Sequence, residues 1–154
     1  LDYWRERLAG LPPVHGLRLD KPRPARQRFE GAHVPRRLDA RTLQRLKQLA
    51  LSRDASLFMV LQAALAALLG RWSGETDVVI GTPVAGRTQR ALEPMFGFFI
   101  NSLVLRTDLG GDPDFIEVVE RAKRTALDAY AHQDVPFEML VETLRPERTL
   151  SHSP

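Results

Sequence analysis

The stretch that best defines the fold is the largely apolar run Phe98-Phe99-Ile100-Asn101-Ser102-Leu103-Val104-Leu105-Arg106. Successive side chains of a strand point to opposite faces, so Asn101 shares one face with Leu103 and Leu105. Asn is depleted in strands, and a buried amide without partners costs about 1–3 kcal/mol. Asn101 therefore marks either a cavity wall or interface that needs an amide, or a bulge or backbone contact that satisfies one.

Neighbouring elements follow from the same kind of reasoning. A second, short apolar strand is predicted over 77–83, as expected for a central strand that is covered on both faces. Asp112 is a predicted N-cap, with Pro113 at the first position of a helix that ends near residue 132. Pro136 then permits a further short helix over 137–144.

The N-terminal half contains three predicted helices, over 2–8, from Asp39 to residue 53, and from Ser56 to about residue 69. The last is apolar nearly all round, which predicts a central core helix that is buried on most sides. Residues 10–28 form a connector without regular structure, and residues 29–38 show a weak strand pattern. The resulting order predicts an α/β fold, a layered α/β sandwich with a small mixed sheet of three strands. Three strands are few for so many helices, so part of the fold is expected to be missing.

Composition bounds the class of protein. The chain has 154 residues, 44% hydrophobic and 27% charged, with a net charge of +3 and no cysteine. Disulfides are excluded, and the cytoplasm is the expected compartment. The longest apolar stretch, 57–69, is shorter than the roughly 20 residues that span a bilayer. Both chain ends look cut from something longer.

Basic residues concentrate in the connector, at Arg18, Lys21, Arg23, Arg26 and Arg28. Prolines interrupt the run, and it has no aromatic residue on which bases could stack. A solvated crossing segment is the interpretation adopted, with a nucleic-acid or membrane patch as the alternative. Neither nucleic acid nor membrane is an expected partner.

Known catalytic patterns are missing from the sequence. The histidines, at positions 15, 33, 132 and 152, are far apart and lack ligand spacing, so no metal site is predicted. There is no phosphate-binding loop and no Gly-x-Ser-x-Gly elbow. No catalytic residue is assigned.

Two further polar groups stand out. His132-Gln133-Asp134 falls at a predicted helix end, and it either shapes a tunnel or interface, or stops one helix and caps the next. Arg87 lies in a polar loop, where it either binds a carboxylate or closes a channel floor, or is simply solvated.

Several strings in fixed order resemble condensation domains of nonribosomal peptide synthetases. They are Tyr3-Trp4 with Leu8-Ala9-Gly10, Leu19-Asp20-Lys21-Pro22-Arg23-Pro24, Gly81-Thr82-Pro83-Val84-Ala85-Gly86-Arg87, Phe96-Gly97-Phe98-Phe99-Ile100-Asn101-Ser102-Leu103, and His132-Gln133-Asp134-Val135-Pro136-Phe137-Glu138. A last motif matches at Arg148, Ser151 and Pro154 but departs at Thr149. The family's catalytic signature, His-His-x-x-x-Asp-Gly, is absent.

The resemblance implies a fold like chloramphenicol acetyltransferase, in which two lobes face each other across a tunnel. Residues 1–28 would be an inter-lobe helix and connector, and residues 29–154 an incomplete C-terminal lobe. Arg87 would floor the tunnel and Asn101 would lie near the active centre. His132, Gln133 and Asp134 would form a motif usually seen as architectural.

The resemblance also implies partners. Carrier domains would present aminoacyl or peptidyl groups on a 4'-phosphopantetheine arm, with no cofactor bound directly by this chain. The missing N-terminal lobe and an adjacent adenylation domain are the other partners that the resemblance implies. The chain alone is predicted to form no amide and to expose an apolar face. An epimerisation or cyclisation domain is the near alternative, and a non-catalytic binding module the distant one.

Overall fold

The computed structural model describes residues 1–146 and 150–151. In that part of the chain, five α-helices and two strands form in the order α1 Asp2–Arg7, α2 Ala40–Ser52, α3 Leu57–Ser73, β1 Asp77–Val84, β2 Asn101–Asp108, α4 Phe115–Ala131 and α5 Phe137–Leu144. A 3-10 turn, Arg90–Leu92, lies between the strands. The predicted layered arrangement of helices on a small sheet is confirmed.

The two strands pair antiparallel, with Val84 opposite Asn101 and Asp77 opposite Asp108. Leu103, Leu105 and Thr107 alternate along β2 and are fully buried. Helix α4 packs on this face and runs back along β2, and the Oγ1 of Thr125 donates to the carbonyl of Arg106 at 3.1 Å. The chain leaves the sheet at Asp108 and returns, after α4, to the Asn101 end.

Helix starts follow the predicted caps in two cases of three. The Asp39 carboxylate accepts from the Thr42 N–H at 2.8 Å, and this hydrogen bond lowers the pKa of Asp39. The Ser56 hydroxyl accepts from the Met59 N–H at 3.2 Å. For α4 the expected cap, Asp112, is wrong. Asp112 has the left-handed φ of 52°, and Asp114 caps the helix two residues later by accepting from the Glu117 N–H.

The predicted three-stranded mixed sheet is also wrong. Residues 29–38 have no strand structure, and Phe29 has a φ of 56° and is 84% exposed. A strand needs a hydrogen-bonded neighbour, and in the described part of the chain β1 and β2 pair only with each other. The strand predicted over 98–106 begins at Asn101 instead, so Phe98 and Ile100 lie before it and are exposed.

Helix α3 is buried on one face only, which corrects the expectation of burial on most sides. Val60 and Ala63 pack against Val119 and Ala122 of α4. The opposite face carries a stripe at i, i+3 and i+4 spacing, between 40% and 66% exposed, formed by Phe58, Leu61, Leu65, Leu68 and Trp72. This stripe is called the α3 stripe below.

The lengths and apolar content of the helices can be compared with what a membrane-spanning helix needs. Among the described residues no single helix is long and apolar enough to cross a bilayer. Helices α2 and α3 meet the criterion only as a pair, and a bend of 103° separates them.

Helix α1 is fixed to the sheet by a reciprocal pair of arginines. Arg7 Nη2 donates to the Arg106 carbonyl at 2.6 Å, while Arg106 Nη1 donates to the carbonyls of Arg7 and Ala9 at 2.9 and 2.8 Å. The Nε and Nη2 groups of Arg106 also donate to the Asp77 carboxylate at 3.0 and 2.7 Å, and these bonds raise the pKa of Arg106. One guanidinium therefore joins β2, β1 and the end of α1.

Candidate functional site

Asn101 lies at the first position of β2, and its amide is fully engaged. Its Nδ2 donates to the carbonyls of Gln133 and Val135 at 2.8 and 2.9 Å. Its Oδ1 accepts from the N–H groups of Phe137 and Ser102 at 3.0 and 2.9 Å. The side chain therefore uses both donors and both acceptor positions inside the protein. Of the alternatives that the sequence left open for Asn101, the structure shows hydrogen bonding of the amide to backbone groups.

The two carbonyl partners of Asn101 lie in the turn between α4 and α5, residues 132–136, and Phe137 is the first residue of α5. The structure thus brings together two regions, Asn101 and His132-Gln133-Asp134, that the sequence singled out separately. Gln133 adds a local bond, because its Nε2 donates to the Tyr130 carbonyl at 3.0 Å. The turn is therefore held both by side-chain hydrogen bonds from Asn101 and Gln133 and by backbone hydrogen bonds at the end of α4 and the start of α5.

His132 ends α4, and its ring is oriented by two contacts. Its Nδ1 lies 2.8 Å from the Asp128 carbonyl, an acceptor that requires the proton to be on Nδ1. Its imidazole stacks on the Tyr3 ring, with centroids 3.9 Å apart and an interplanar angle of 5°. Burial, followed by the nearby Asp128 carboxylate, raises the pKa of Tyr3.

Asp134 behaves differently from its two neighbours. Its side chain is exposed, and among the described residues no hydrogen bond or ion pair involves its carboxylate. Asp134 therefore presents to solvent a carboxylate that is unpaired within the described part of the chain. Asn101 holds the backbone next to it, because its amide binds the carbonyls of Gln133 and Val135, the residues on either side.

Arg87 occupies the loop that leaves β1. Its guanidinium lies 4.2 Å from the centre of the Phe99 ring, and its Nη1 donates to the carbonyls of Leu92 and Glu93. The preceding Gly86 has a φ of 62°, and a Cβ there would overlap the Phe99 carbonyl oxygen. Arg87 thus closes the 85–99 loop on itself through a cation–π contact and a cap on the 3-10 turn.

Arg87 and the Asn101 cluster lie at one end of the sheet, because β1 ends opposite the residue at which β2 begins. Phe99, which touches Arg87, is two residues from Asn101. Sequence reasoning missed Tyr3 and Trp4 as partners of this site. The Trp4 indole was the one indication of such a contact in the sequence, because a buried indole N–H needs a hydrogen-bond acceptor. Nothing in the sequence identified His132 as that acceptor.

A large cavity lies elsewhere in the described part of the chain. It has a volume of about 1100 Å³ and lies between the connector and β1, with Lys21, Arg23 and Arg28 at its wall. None of the five predicted site residues lines it. The described residues contain no group of three or more His, Cys, Asp or Glu side chains that could hold a metal ion. Arg148, Thr149, His152 and Pro154 of the last motif lie outside the described residues.

Comparison with known proteins gives consistent matches. The family model described as "Condensation domain" matches residues 1–154. One of the linear gramicidin synthase proteins of Brevibacillus parabrevis is 50% identical over the whole chain, which spans 3% of that protein. Phosphinothricin tripeptide synthetase PhsC of Streptomyces viridochromogenes is 46% identical over the whole chain, which spans 14% of it.

Solved structures match equally well. The X-domain from teicoplanin biosynthesis superposes on 99% of this chain with a TM-score of 0.94 and 40% identity, and the chain spans 34% of it. A four-domain nonribosomal peptide synthetase matches with a TM-score of 0.96 and 31% identity over 99% of this chain, which spans 12% of that one.

Proposed function

This chain belongs to the condensation domain family, and we propose that it supplies the structural wall of a cleft in which carrier-tethered acyl groups are joined. In that reaction an acceptor amine attacks the thioester carbonyl of the donor. A C–N bond forms, the C–S bond breaks, and the amine proton leaves with the thiol of the phosphopantetheine arm. The observation that carries the proposal is the match to the family over residues 1–154.

The base for this reaction is expected from elsewhere in the complete domain. General base catalysis needs a titratable group within hydrogen-bond reach of the proton. The sequence has no His-His-x-x-x-Asp-Gly string. His132 is committed to Tyr3 and to the Asp128 carbonyl, and this supports a structural role. The chain alone is therefore expected to form no amide.

The proposed roles of the site residues follow from their contacts. Asn101 positions the 132–136 turn and does not bind substrate, because its amide has no free donor. Arg87 fixes the loop at the same end of the sheet and forms part of the cleft floor. His132 and Gln133 are architectural, and Asp134 is the side chain left to face a neighbouring lobe or carrier domain.

The finer assignments stay within the same proposal. Residues 1–28 would connect two lobes, and residues 29–154 would belong to the C-terminal one. Carrier domains with a 4'-phosphopantetheine arm and an adenylation domain would be the partners, in the cytoplasm. Nucleic acid is not among the proposed partners, because the basic stretch 18–28 contains no aromatic side chain on which bases could stack.

A chimera tests the proposal. Residues 1–154 would replace the aligned stretch in a condensation domain of the linear gramicidin synthase, and amide formation between carrier-bound substrates would be followed by mass spectrometry. We expect product from the chimera, and none when Ala replaces the second His of the host's His-His-x-x-x-Asp-Gly string. A chimera that melts like the parent domain yet forms no amide would refute the proposal, and turnover by the 154-residue chain alone would refute the assignment of the base.

A further inference from the structure

Helix α1 contacts the 132–136 turn through two adjacent aromatic residues. The Tyr3 ring stacks on His132 at 3.9 Å. The Trp4 Nε1 donates to the His132 carbonyl at 3.0 Å, and Trp4 is fully buried. The two rings also meet edge to face, with centroids 4.9 Å apart. His132 is therefore held at its ring by one residue of α1 and at its backbone by the next.

Side chains from two distant elements bind the carbonyls of this turn. Trp4 of α1 binds that of residue 132, and Asn101 of β2 binds those of Gln133 and Val135. Among the described residues, backbone bonds connect the turn only to α4 and α5, through the N–H groups of residues 132, 133, 139 and 140. The place of the turn relative to the sheet is thus set jointly by α1 and Asn101.

Helix α1 has other attachments besides the contact of Tyr3 with His132. Arg7 donates to the Arg106 carbonyl and to Thr125 Oγ1, at 2.6 and 3.0 Å, one helical turn away from Tyr3. Leu8 belongs to the core cluster of Leu103 and Leu105. A change at Tyr3 can therefore alter the turn while α1 stays docked.

We propose that Tyr3 and Trp4 are positioning residues of the condensation domain, which fix the His132 ring and, together with Asn101, the orientation in which Asp134 is presented. The role in condensation rests on the proposed function. The positioning itself does not, because it follows from contacts within this chain. Asp134 would keep its carboxylate under these substitutions, but the backbone that carries it would be less firmly held.

Nuclear magnetic resonance of the 154-residue chain tests the positioning. The variants are Tyr3→Phe, Tyr3→Leu and Trp4→Phe. Arg5→Ala is the matched control on α1, since within the described part of the chain the Arg5 side chain forms only an exposed pair with Asp2. The readouts are the His132 ring proton shifts and the hydrogen exchange of the Phe137 amide, which donates to Asn101.

We expect Tyr3→Phe to keep the upfield ring-current shift of His132 and Tyr3→Leu to abolish it. Exchange at Phe137 should rise about tenfold in Tyr3→Leu and Trp4→Phe, with the Leu8 amide of α1 unchanged. Arg5→Ala should match the parent chain in every readout.

Two results would overturn the proposal. One is a Tyr3→Leu variant with parental His132 shifts and parental Phe137 exchange. The other is an effect of Tyr3→Phe as large as that of Tyr3→Leu, which would assign the effect to the hydroxyl group and not to the stacked ring. If Tyr3→Leu does not fold, the proposal is overturned by parental Phe137 exchange in Trp4→Phe or by loss of the upfield His132 shift in Tyr3→Phe. Since no readout depends on amide formation, a failed chimera and a failed positioning test remain distinguishable.

Discussion

Replacing Asn101 by Ala removes the bonds that join the sheet to the 132–136 turn. Four hydrogen bonds of 2.8–3.0 Å are lost. At about 1 kcal/mol each they would contribute about 4 kcal/mol. The site is only half buried, so water replaces part of each bond, and we expect the free energy of unfolding to fall by about 2–3 kcal/mol.

Such a loss is measurable by urea denaturation or thermal melting. For a chain of this size it corresponds to a fall in Tm of about 5–10 °C. Ser102→Ala is the matched control, because no hydrogen bond of the Ser102 hydroxyl is seen in the described residues, and it should change stability by less than about 0.5 kcal/mol. A loss below about 1 kcal/mol in Asn101→Ala would show that the Asn101 amide does not hold the turn.

The variant Asn101→Asp adds a pH test. One carboxylate oxygen would keep the N–H donors of Phe137 and Ser102, as the amide oxygen of Asn101 does. The other would replace the amide nitrogen and face the carbonyl oxygens of Gln133 and Val135, to which only a protonated carboxyl can donate. We expect this second contact to outweigh the first and to raise the pKa above the ordinary value of about 3.9. A raised folded-state pKa means that the protonated form is the stabilising one. We expect the deficit in stability of Asn101→Asp, relative to the parent at each pH, to be smallest below about pH 4 and to grow as pH rises through the raised pKa. A deficit that does not change with pH would contradict the assigned orientation of the amide.

Three further predictions concern other parts of the fold. Arg106→Lys should cost about 1–2 kcal/mol in urea denaturation, because an ammonium cannot bind Asp77 bidentately and also cap α1; an unchanged midpoint would contradict this. Gly86→Ala should lower the Tm by several degrees, because its positive φ and the Phe99 carbonyl both exclude a Cβ, and a parental Tm would show that the 85–99 loop is free to move. Leu65→Lys, on the α3 stripe, should reduce self-association in sedimentation velocity with little change in Tm, whereas a large fall in Tm would mean that this face is packed in solution.

Local signals predicted the helices well. The caps at Asp39 and Ser56 and the apolar periodicity of α4 are properties of short stretches, so the sequence was sufficient for them. The predicted cap at Asp112 is wrong because Asp112 has a left-handed φ after the Gly110-Gly111 turn, whereas Asp114 has the extended backbone that a cap needs.

Long-range features could not be predicted in the same way. The anomaly at Asn101 was visible, but its partners lie 32–36 residues away and are backbone groups, which carry no sequence signal. The strand pattern over 29–38 failed because pairing needs a neighbour. The apolar composition of α3 indicated that burying this helix is favourable, but it could not indicate which surface would pack against each of its faces.

Because α4 runs back along β2, insertions and deletions between Asn101 and the 132–136 turn are restricted. The 17 residues of α4 extend about 26 Å, and the 8 residues of β2 extend about 27 Å. This match in length is what delivers the 132–136 turn back to Asn101. Adding one residue within the helix would turn all that follows by about 100° and move it by about 1.5 Å, beyond the reach of an amide on a short stem. Among homologues that keep both motifs, the spacing between them should therefore be almost invariant.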